Sequence, residues 1–255
     1  MGQNIHKLFY KDYYNGVDFN YIFHQDGGEG AERTNINNRI KNAPLVLMEK
    51  PFEAVGGRNM IAFPARVLYP GLVTGVGLTH DSKKIKGGYN LGMHFDYVKG
   101  MPIIYGSSVK GVLRSYFKEF CENNNVEKEH IEELFEAIFN GCKKIGQDYK
   151  PMPVYERDSF FDAVIVQDYE GKILVDDSIT PHGDNPLKNP IPIQMLKIAP
   201  GCVMEFRFVL GDSTVNGRTY TADDKLRIFK DILSTMGIGA KTNVGYGQLE
   251  LVKNM

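Results

Sequence analysis

Two short stretches of the chain hold residues whose types and spacing can grip an anion. The first is Pro102-Ile103-Ile104-Tyr105-Gly106-Ser107-Ser108-Val109-Lys110-Gly111-Val112-Leu113-Arg114. Here Gly106 permits a tight entry into a helix, and Ser107 or Ser108 is placed to cap it. The unpaired N–H groups of a first helical turn attract anions, and Lys110 and Arg114 would bring a point charge and a planar fork beside them. A plainer reading makes the same residues a capped helix with a solvated basic face, and residue types alone leave the two in balance. The second stretch is Gly237-Ile238-Gly239-Ala240-Lys241-Thr242-Asn243-Val244-Gly245-Tyr246-Gly247. Its glycines allow backbone N–H groups to approach a ligand closely, Lys241 adds charge, and Tyr246 offers a ring for stacking. A connector would need only Gly237 to stop the preceding helix, so the remaining glycines favour ligand contact. Neither G-x-x-x-x-G-K-[ST] nor G-x-G-x-x-G is present, and the second stretch leads into a strand, which disfavours ATP and NAD.

Other chemistry is thinly signalled. The histidines His6, His24, His80, His94, His130 and His182 form no H-x-x-x-H and no Cys/His ligand spacing. His80-Asp81 and His94-x-Asp96 are candidate acid and base pairs, and His130 is expected at a solvated helix start. Asp176-Asp177 with Asp162 or His182 is the best divalent-ion candidate, although paired acids at a strand end are more often surface. Cys121, Cys142 and Cys202 leave an odd thiol and no C-x-x-C, which fits a reducing compartment. There is no G-x-S-x-G and no Cys/His dyad, so no catalytic constellation and no metal or other cofactor is implied.

The elements that must position these stretches follow from periodicity. Val109, Val112, Leu113, Tyr116, Phe117 and Phe120 mark one face of a helix, with Lys110, Arg114 and Lys118 on another. A second helix carries Ile131, Leu134, Phe135, Ile138 and Phe139, with capping candidates at Asn123 to Asn125, a Glu-rich outer face and a stop before Gly141. A third opens on the capping box Thr221-Ala222-Asp223-Asp224, presents Leu226, Phe229, Ile232, Leu233 and Met236, and stops at Gly237. Strands are expected over 65–79, broken at Pro70-Gly71, then 160–167, 172–176, 203–210 and 246–252. A short helix is expected within 31–47. This order of strand, helix, strand, strand, helix, strand is that of an α+β, ferredoxin-like antiparallel sheet with helices on one face. Residues 1–60, polar and aromatic, read as an irregular N-terminal extension or arm with a mobile loop, and 61–255 as one domain.

Composition sets the outer bounds. The 255 residues include 30 Lys and Arg against 31 Asp and Glu, a formal charge of −1, so the chain as a whole offers no electrostatic attraction to nucleic acid or membrane. Any polynucleotide contact must come from cations focused on one face. Hydrophobic residues make up 42% and charged residues 24%, ordinary globular proportions that exclude wholesale disorder. The first residues lack the apolar core of a signal peptide and no run of about 18 apolar residues occurs, so a cytoplasmic protein without membrane contact is expected.

The segment GSSVKGVLR after MPIIY, followed much later by GIGAKTNVGYGQLEL, is similar to the signature and the glycine-rich loop of the repeat-associated mysterious proteins, or RAMPs, of CRISPR systems. LVTGVGLTH, DSFFDAVIV, DDSITPH, NPIPIQMLKIAPG and the FRFVL strand resemble the sixth-subunit family of the type III-B (Cmr) effector. The likeness spans roughly residues 66–252; Tyr105 stands where many members have Pro. It implies a modified ferredoxin-like, RNA-recognition-type fold and a non-enzymatic subunit that holds the 3′ part of the guide RNA. Its partners would be that RNA, the backbone, small and neighbouring RAMP subunits and, indirectly, target RNA. By motif match, the RNA-binding candidates are Gly106, Ser107, Ser108, Lys110 and Arg114 in the signature, and Gly239, Lys241, Thr242, Gly245 and Tyr246 in the loop. In a ferredoxin-like order the two segments are expected to meet in one groove, with Lys83, Lys84 and Lys86 extending it or forming a solvated loop. The rival reading is a metal-independent endoribonuclease that processes CRISPR RNA, with His80 or His94 as base and Lys241 stabilising charge. A nucleotide-binding regulator is a weaker third.

Overall fold

Val203, Met204, Phe206, Phe208 and Val209 are all buried, so the strand they form is covered on both faces and the other elements are laid around it. The computed structural model describes residues 4–15, 30–50, 53–55, 57–78, 80, 87–180 and 192–253. The helices are α1 (Ile5–Tyr10), α2 (Gly30–Lys41), α3 (Gly106–Asn123), α4 (Lys128–Phe135) and α5 (Ala222–Met236). The strands that matter for the site are β1 (Ile61–Val67), β2 (Ile103–Ile104), β3 (Ser159–Phe160), β4 (Ala163–Gln167), β5 (Leu174–Ile179), β6 (Ile193–Ile198), β7 (Val203–Val209) and β8 (Leu249–Leu251). One antiparallel sheet runs β8-β1-β7-β4-β2, with β3 also paired to β7, while β5 and β6 form a separate hairpin. Phe206 sits opposite Phe63, Leu249 opposite Val67 and Ile103 opposite Val164. The strands β1, β4, β7 and β8, with α3 after the first and α5 after the third, make the β-α-β-β-α-β order of a ferredoxin-like fold. Strand β2 is an added edge.

The helical face is built as periodicity requires. Val109, Leu113, Phe117 and Phe120 of α3 and Leu226, Phe229, Ile232 and Leu233 of α5 are buried. Phe63 lies 5.4 Å from Phe206, and Phe208 lies 5.5 Å from Phe229, so aromatic contacts tie the strands to α5. The capping box forms: Thr221 Oγ1 accepts from the Asp224 N–H and the Asp224 carboxylate accepts from the Thr221 N–H. A box of this kind is worth about 1 kcal/mol. Gly141 takes the left-handed conformation that ends the run following α4.

Several expectations change. Asn123 to Asn125 do not cap α4; α3 extends through Asn123 and Glu127 occupies the N-cap without a side-chain bond. His130 is not solvated but 4% exposed, its Nδ1 2.9 Å from the Tyr220 hydroxyl, because the 213–220 hairpin folds over the start of α4. Helix α2 ends at Lys41, and residues 43–48 run without regular structure against the core, where Ala43 is buried and Leu45, Val46 and Met48 pack on it. Arg207, 5% exposed, fastens this stretch to β7: its Nε donates to Glu205 Oε1 at 2.7 Å, and its Nη atoms donate to the carbonyls of Met48 and Glu49 at 2.9 and 3.1 Å. Arg207 alternates with Phe206 and Phe208, so 43–49 lies on the sheet face away from α5. Both faces are therefore covered, whereas the element order alone calls for cover on one. Ile5, Phe9 and Tyr13 are fully buried, so this part of the expected arm is core.

Candidate nucleic-acid interface

The start of α3 is set by its neighbours rather than by its own serines. Tyr105 is the N-cap, and its carbonyl accepts from the N–H groups of Ser108 and Val109 at 2.8 and 3.0 Å. Neither serine side chain caps. The Gly106 N–H donates to Asp162 Oδ1 at 2.7 Å, so a carboxylate of the chain itself occupies part of the anion site predicted here. Gly106 is explained by packing: a Cβ there would lie 2.4 Å from the Phe160 carbonyl oxygen. Ser107 is exposed and Ser108 half-buried.

The basic stripe is partly committed. Arg114 packs its guanidinium 5.0 Å from the Phe135 ring and donates to Asn140 Oδ1 at 2.6 Å. Lys118 is paired with Glu132 on α4 at 2.5 Å. Lys110 makes no ion pair among the described residues, and its ammonium stands 5.5 Å from the Phe160 ring. Burial lowers its pKa, the positive charges of Arg114 and Arg157 lower it further, and Asp158 opposes them. Arg157 is a member of this cationic group that sequence reasoning missed. Gly141 admits it, since a Cβ there would strike the Arg157 side chain at 2.6 Å. The only advance signal was a Gly at the end of a helix, which pointed to a stop and not to a neighbour.

The 237–247 loop keeps its glycines chiefly for close backbone approach. Added Cβ atoms would lie 2.6 Å from Gly247 O at Gly237, 2.4 Å from Val73 O at Gly239 and 1.9 Å from Ile238 O at Gly247, all at positive φ. Gly245, also at positive φ, meets only Pro70 at 3.7 Å. The loop is laced to the segment after β1: Ala240 N–H donates to Val73 O at 2.7 Å and Gly247 N–H to Gly71 O at 2.8 Å. What this rigid frame presents is Lys241, a non-glycine residue at φ 63°, half-exposed and without an ion pair among the described residues. Thr242 beside it is half-exposed as well.

Tyr246 is less free than its sequence context indicated. Its hydroxyl donates to Asp177 Oδ2 at 2.7 Å, and Lys197 Nζ reaches the same oxygen at 2.5 Å while lying 5.6 Å from the Tyr246 ring. Burial together with the Asp177 carboxylate pushes the Tyr246 hydroxyl up to about 12. Burial pushes Asp177 upward, but hydrogen bonds from Lys197, Tyr246 and the Ser178 N–H outweigh it and leave the carboxyl below its ordinary value. Sequence spacing gives no signal for Lys197, and it marks Asp177 only as a metal candidate. Asp176 instead bonds Lys41 and the Tyr89 hydroxyl, and Asp162 bonds Gly106, so the three carboxylates serve three separate tasks. His182 and Lys83, Lys84 and Lys86 lie outside the described residues.

Strand β8, fed by the glycine loop, and β2, which feeds α3, are the opposite ends of the sheet path. Residues 71–105 link the two segments: Val73 holds Ala240, Thr74 Oγ1 lies 2.9 Å from His94 Nδ1, and the His94 ring stacks on Tyr105 at 4.2 Å. His80, by contrast, is buried with Nδ1 and Nε2 at 2.7 and 2.8 Å from the carbonyls of Tyr89 and Phe9.

The sheet order, with α3 and α5 packed on one face, defines the class: an α+β, ferredoxin-like protein. The chain belongs to the RAMP superfamily, whose family model matches residues 65–250. Among solved structures, a chain of the type III-B Cmr-beta complex bound to cognate target RNA aligns with a TM-score of 0.54 and 20% identity, covering 98% of this chain and 87% of that one. Cmr6 from Pyrococcus furiosus aligns with a TM-score of 0.40 and 18% identity over 76% of this chain and 98% of its own. No curated protein matches. Among the described residues no helix is long and apolar enough to cross a membrane.

Proposed function

We propose that this protein is a non-catalytic, RNA-binding structural subunit of a type III-B CRISPR effector, holding the 3′ part of the guide RNA and neighbouring subunits in the cytoplasm. Membership of the RAMP superfamily supports the reading, and so does a fold shared with a chain of a complex whose structure contains target RNA. The observation that carries it is Lys241: a cation held on a glycine-built frame, with no acidic partner among the described residues. Lys110, likewise unpaired, extends the track along α3, and backbone phosphate contacts of this kind need no base readout. Near-neutral total charge is compatible with this because the acids are spent elsewhere, as in the Arg207, Lys118 and Lys197 pairs.

The test is guide RNA binding by the Lys110→Ala, Lys241→Ala double variant across a salt titration. Removing one phosphate interaction flattens the slope of log K against log salt by about 0.7 for single strands. An unchanged slope refutes the proposal. The endoribonuclease reading is separated by incubating the protein with precursor RNA and EDTA. His80 has both ring nitrogens against carbonyl oxygens, which favours a positioning role over that of a base. A defined cut that disappears in His94→Ala would establish the rival.

A further inference from the structure

Beside the start of α3 lies a cleft of about 200 Å³ in which five of the seven lining residues are aromatic. We propose that this cleft, walled by His6, Tyr10, Phe95, Tyr97 and Tyr105, seats one unpaired nucleobase of a single-stranded RNA whose phosphate lies outside, toward Ser107 and Lys110. The inference rests on the RNA-binding reading and adds a subsite to it.

Five observations carry it. The cleft is smaller than the roughly 300–1,000 Å³ of sites for drug-sized ligands, which suits a single flat heterocycle. Its lining includes no Lys, Arg, Asp or Glu, so it offers nothing to a phosphate or a charged peptide side chain and much to an uncharged ring. Tyr97, 72% exposed, leans 4.5 Å from the His6 ring at 60° and leaves most of its own ring uncovered, a large apolar surface held in water without a partner. Polar groups at the wall are unused: among the described residues the His6 imidazole, the Tyr97 hydroxyl and the Tyr105 hydroxyl make no hydrogen bond within the chain, whereas the Tyr10 hydroxyl is spent on Met93 N and O. Burial lowers the pKa of His6 against the pull of Asp96, so the imidazole stays neutral and presents one donor and one acceptor. A flat ring with donors and acceptors on its edge, stacked on aromatics, is what these groups complement. The position completes the case. Tyr105 is both a wall of the cleft and the N-cap of α3, so the cleft adjoins the turn that carries Ser107 and Lys110.

The experiment uses the full chain and single-stranded guide-type RNA carrying 2-aminopurine at successive positions, read by fluorescence quenching and by a salt titration of affinity. The wild type is expected to quench the probe at one position. Tyr97→Ala is expected to abolish the quench and weaken binding on the order of 5- to 100-fold at unchanged salt slope, the size of a single base–aromatic stack. Tyr97→Phe keeps the quench. Because Tyr97 is largely exposed, both variants should melt close to the wild type, which separates the effect from unfolding. RNA binding with no quench at any position, or an undiminished quench in Tyr97→Ala, overturns the subsite while leaving the phosphate track intact. Unaltered RNA binding by Tyr97→Ala together with failure to co-purify a neighbouring subunit marks a protein-binding surface and also overturns it. Failure of the wild type to bind RNA overturns both readings.

Discussion

Replacing Lys241 by Gly and, separately, by Ala separates its charge from its backbone. Lys241 sits at φ 63°, where a side chain costs about 1–2 kcal/mol relative to glycine. Glycine returns part of that gain through the greater entropy of the unfolded chain, about 0.4–1 kcal/mol. Lys241→Gly should therefore be as stable as the wild type or more so by up to about 1.6 kcal/mol, whereas Lys241→Ala retains the strain and gains nothing. Since 1 kcal/mol corresponds to about 2–4 °C for a chain of this size, Tm for the Gly variant should exceed that for the Ala variant by up to a few degrees. Both remove the same cation. If Lys241 meets one phosphate, both variants lose about 0.7 from the salt slope, so the fall in affinity between 50 and 200 mM salt becomes about 2.6-fold smaller than in the wild type. Thermal unfolding and RNA titrations at four salt concentrations read both quantities. A glycine variant clearly less stable than the alanine variant would refute the strain assignment, and a wild-type salt slope in both would refute the phosphate contact.

Gly247→Ala places a Cβ 1.9 Å from the Ile238 carbonyl oxygen at a positive φ, and should cost more than about 2 kcal/mol, seen as a lower denaturation midpoint. Lys225 and Asp158 form a 2.7 Å pair with side chains 2% and 3% exposed. Lys225→Ala leaves Asp158, among the described residues, with only the Gly211 N–H and a more distant Arg58, and should lower stability by about 3 kcal/mol and Tm by on the order of 10 °C. Asp177, whose folded pKa is depressed, contributes stability that is present above the unfolded value near 3.9 and is lost as pH falls through the folded one. Asp177→Asn should therefore flatten the acid limb of a stability-versus-pH profile while leaving its shape near neutrality unchanged.

Local signals carried the fold further than the site. The Thr221 capping box, the Phe229 face of α5 and the alternation of Val203 to Leu210 each specify an element through neighbours a few residues away, and each forms as read. The sheet order follows from that element order, apart from β2, because a two-residue strand leaves too little alternation to detect. The site depended on partners that periodicity does not encode. Asp162 reaches Gly106 across 56 residues, Asp177 meets Tyr246 across 69, and Arg157 acts on Lys110 from beyond the paired strands of 142–151. Glycine proved ambiguous for a physical reason. A missing Cβ admits a carbonyl oxygen of the chain as readily as a phosphate, and Gly237, Gly239 and Gly247 are filled by the former.

The Arg207 fastening sets a condition on how the protein is made. Residues 48 and 49 leave the ribosome long before the arginine that holds them, which follows 158 residues after Glu49. At a synthesis rate of about 5–20 residues per second, the nascent segment waits roughly 8 to 32 s without the guanidinium that holds the Met48 and Glu49 carbonyls. The N-terminal portion thus cannot mature as a unit ahead of the rest. Its assembly is post-translational in logic even when it begins during translation, and a stall upstream of codon 207 would leave an adhesive intermediate for chaperones to shield.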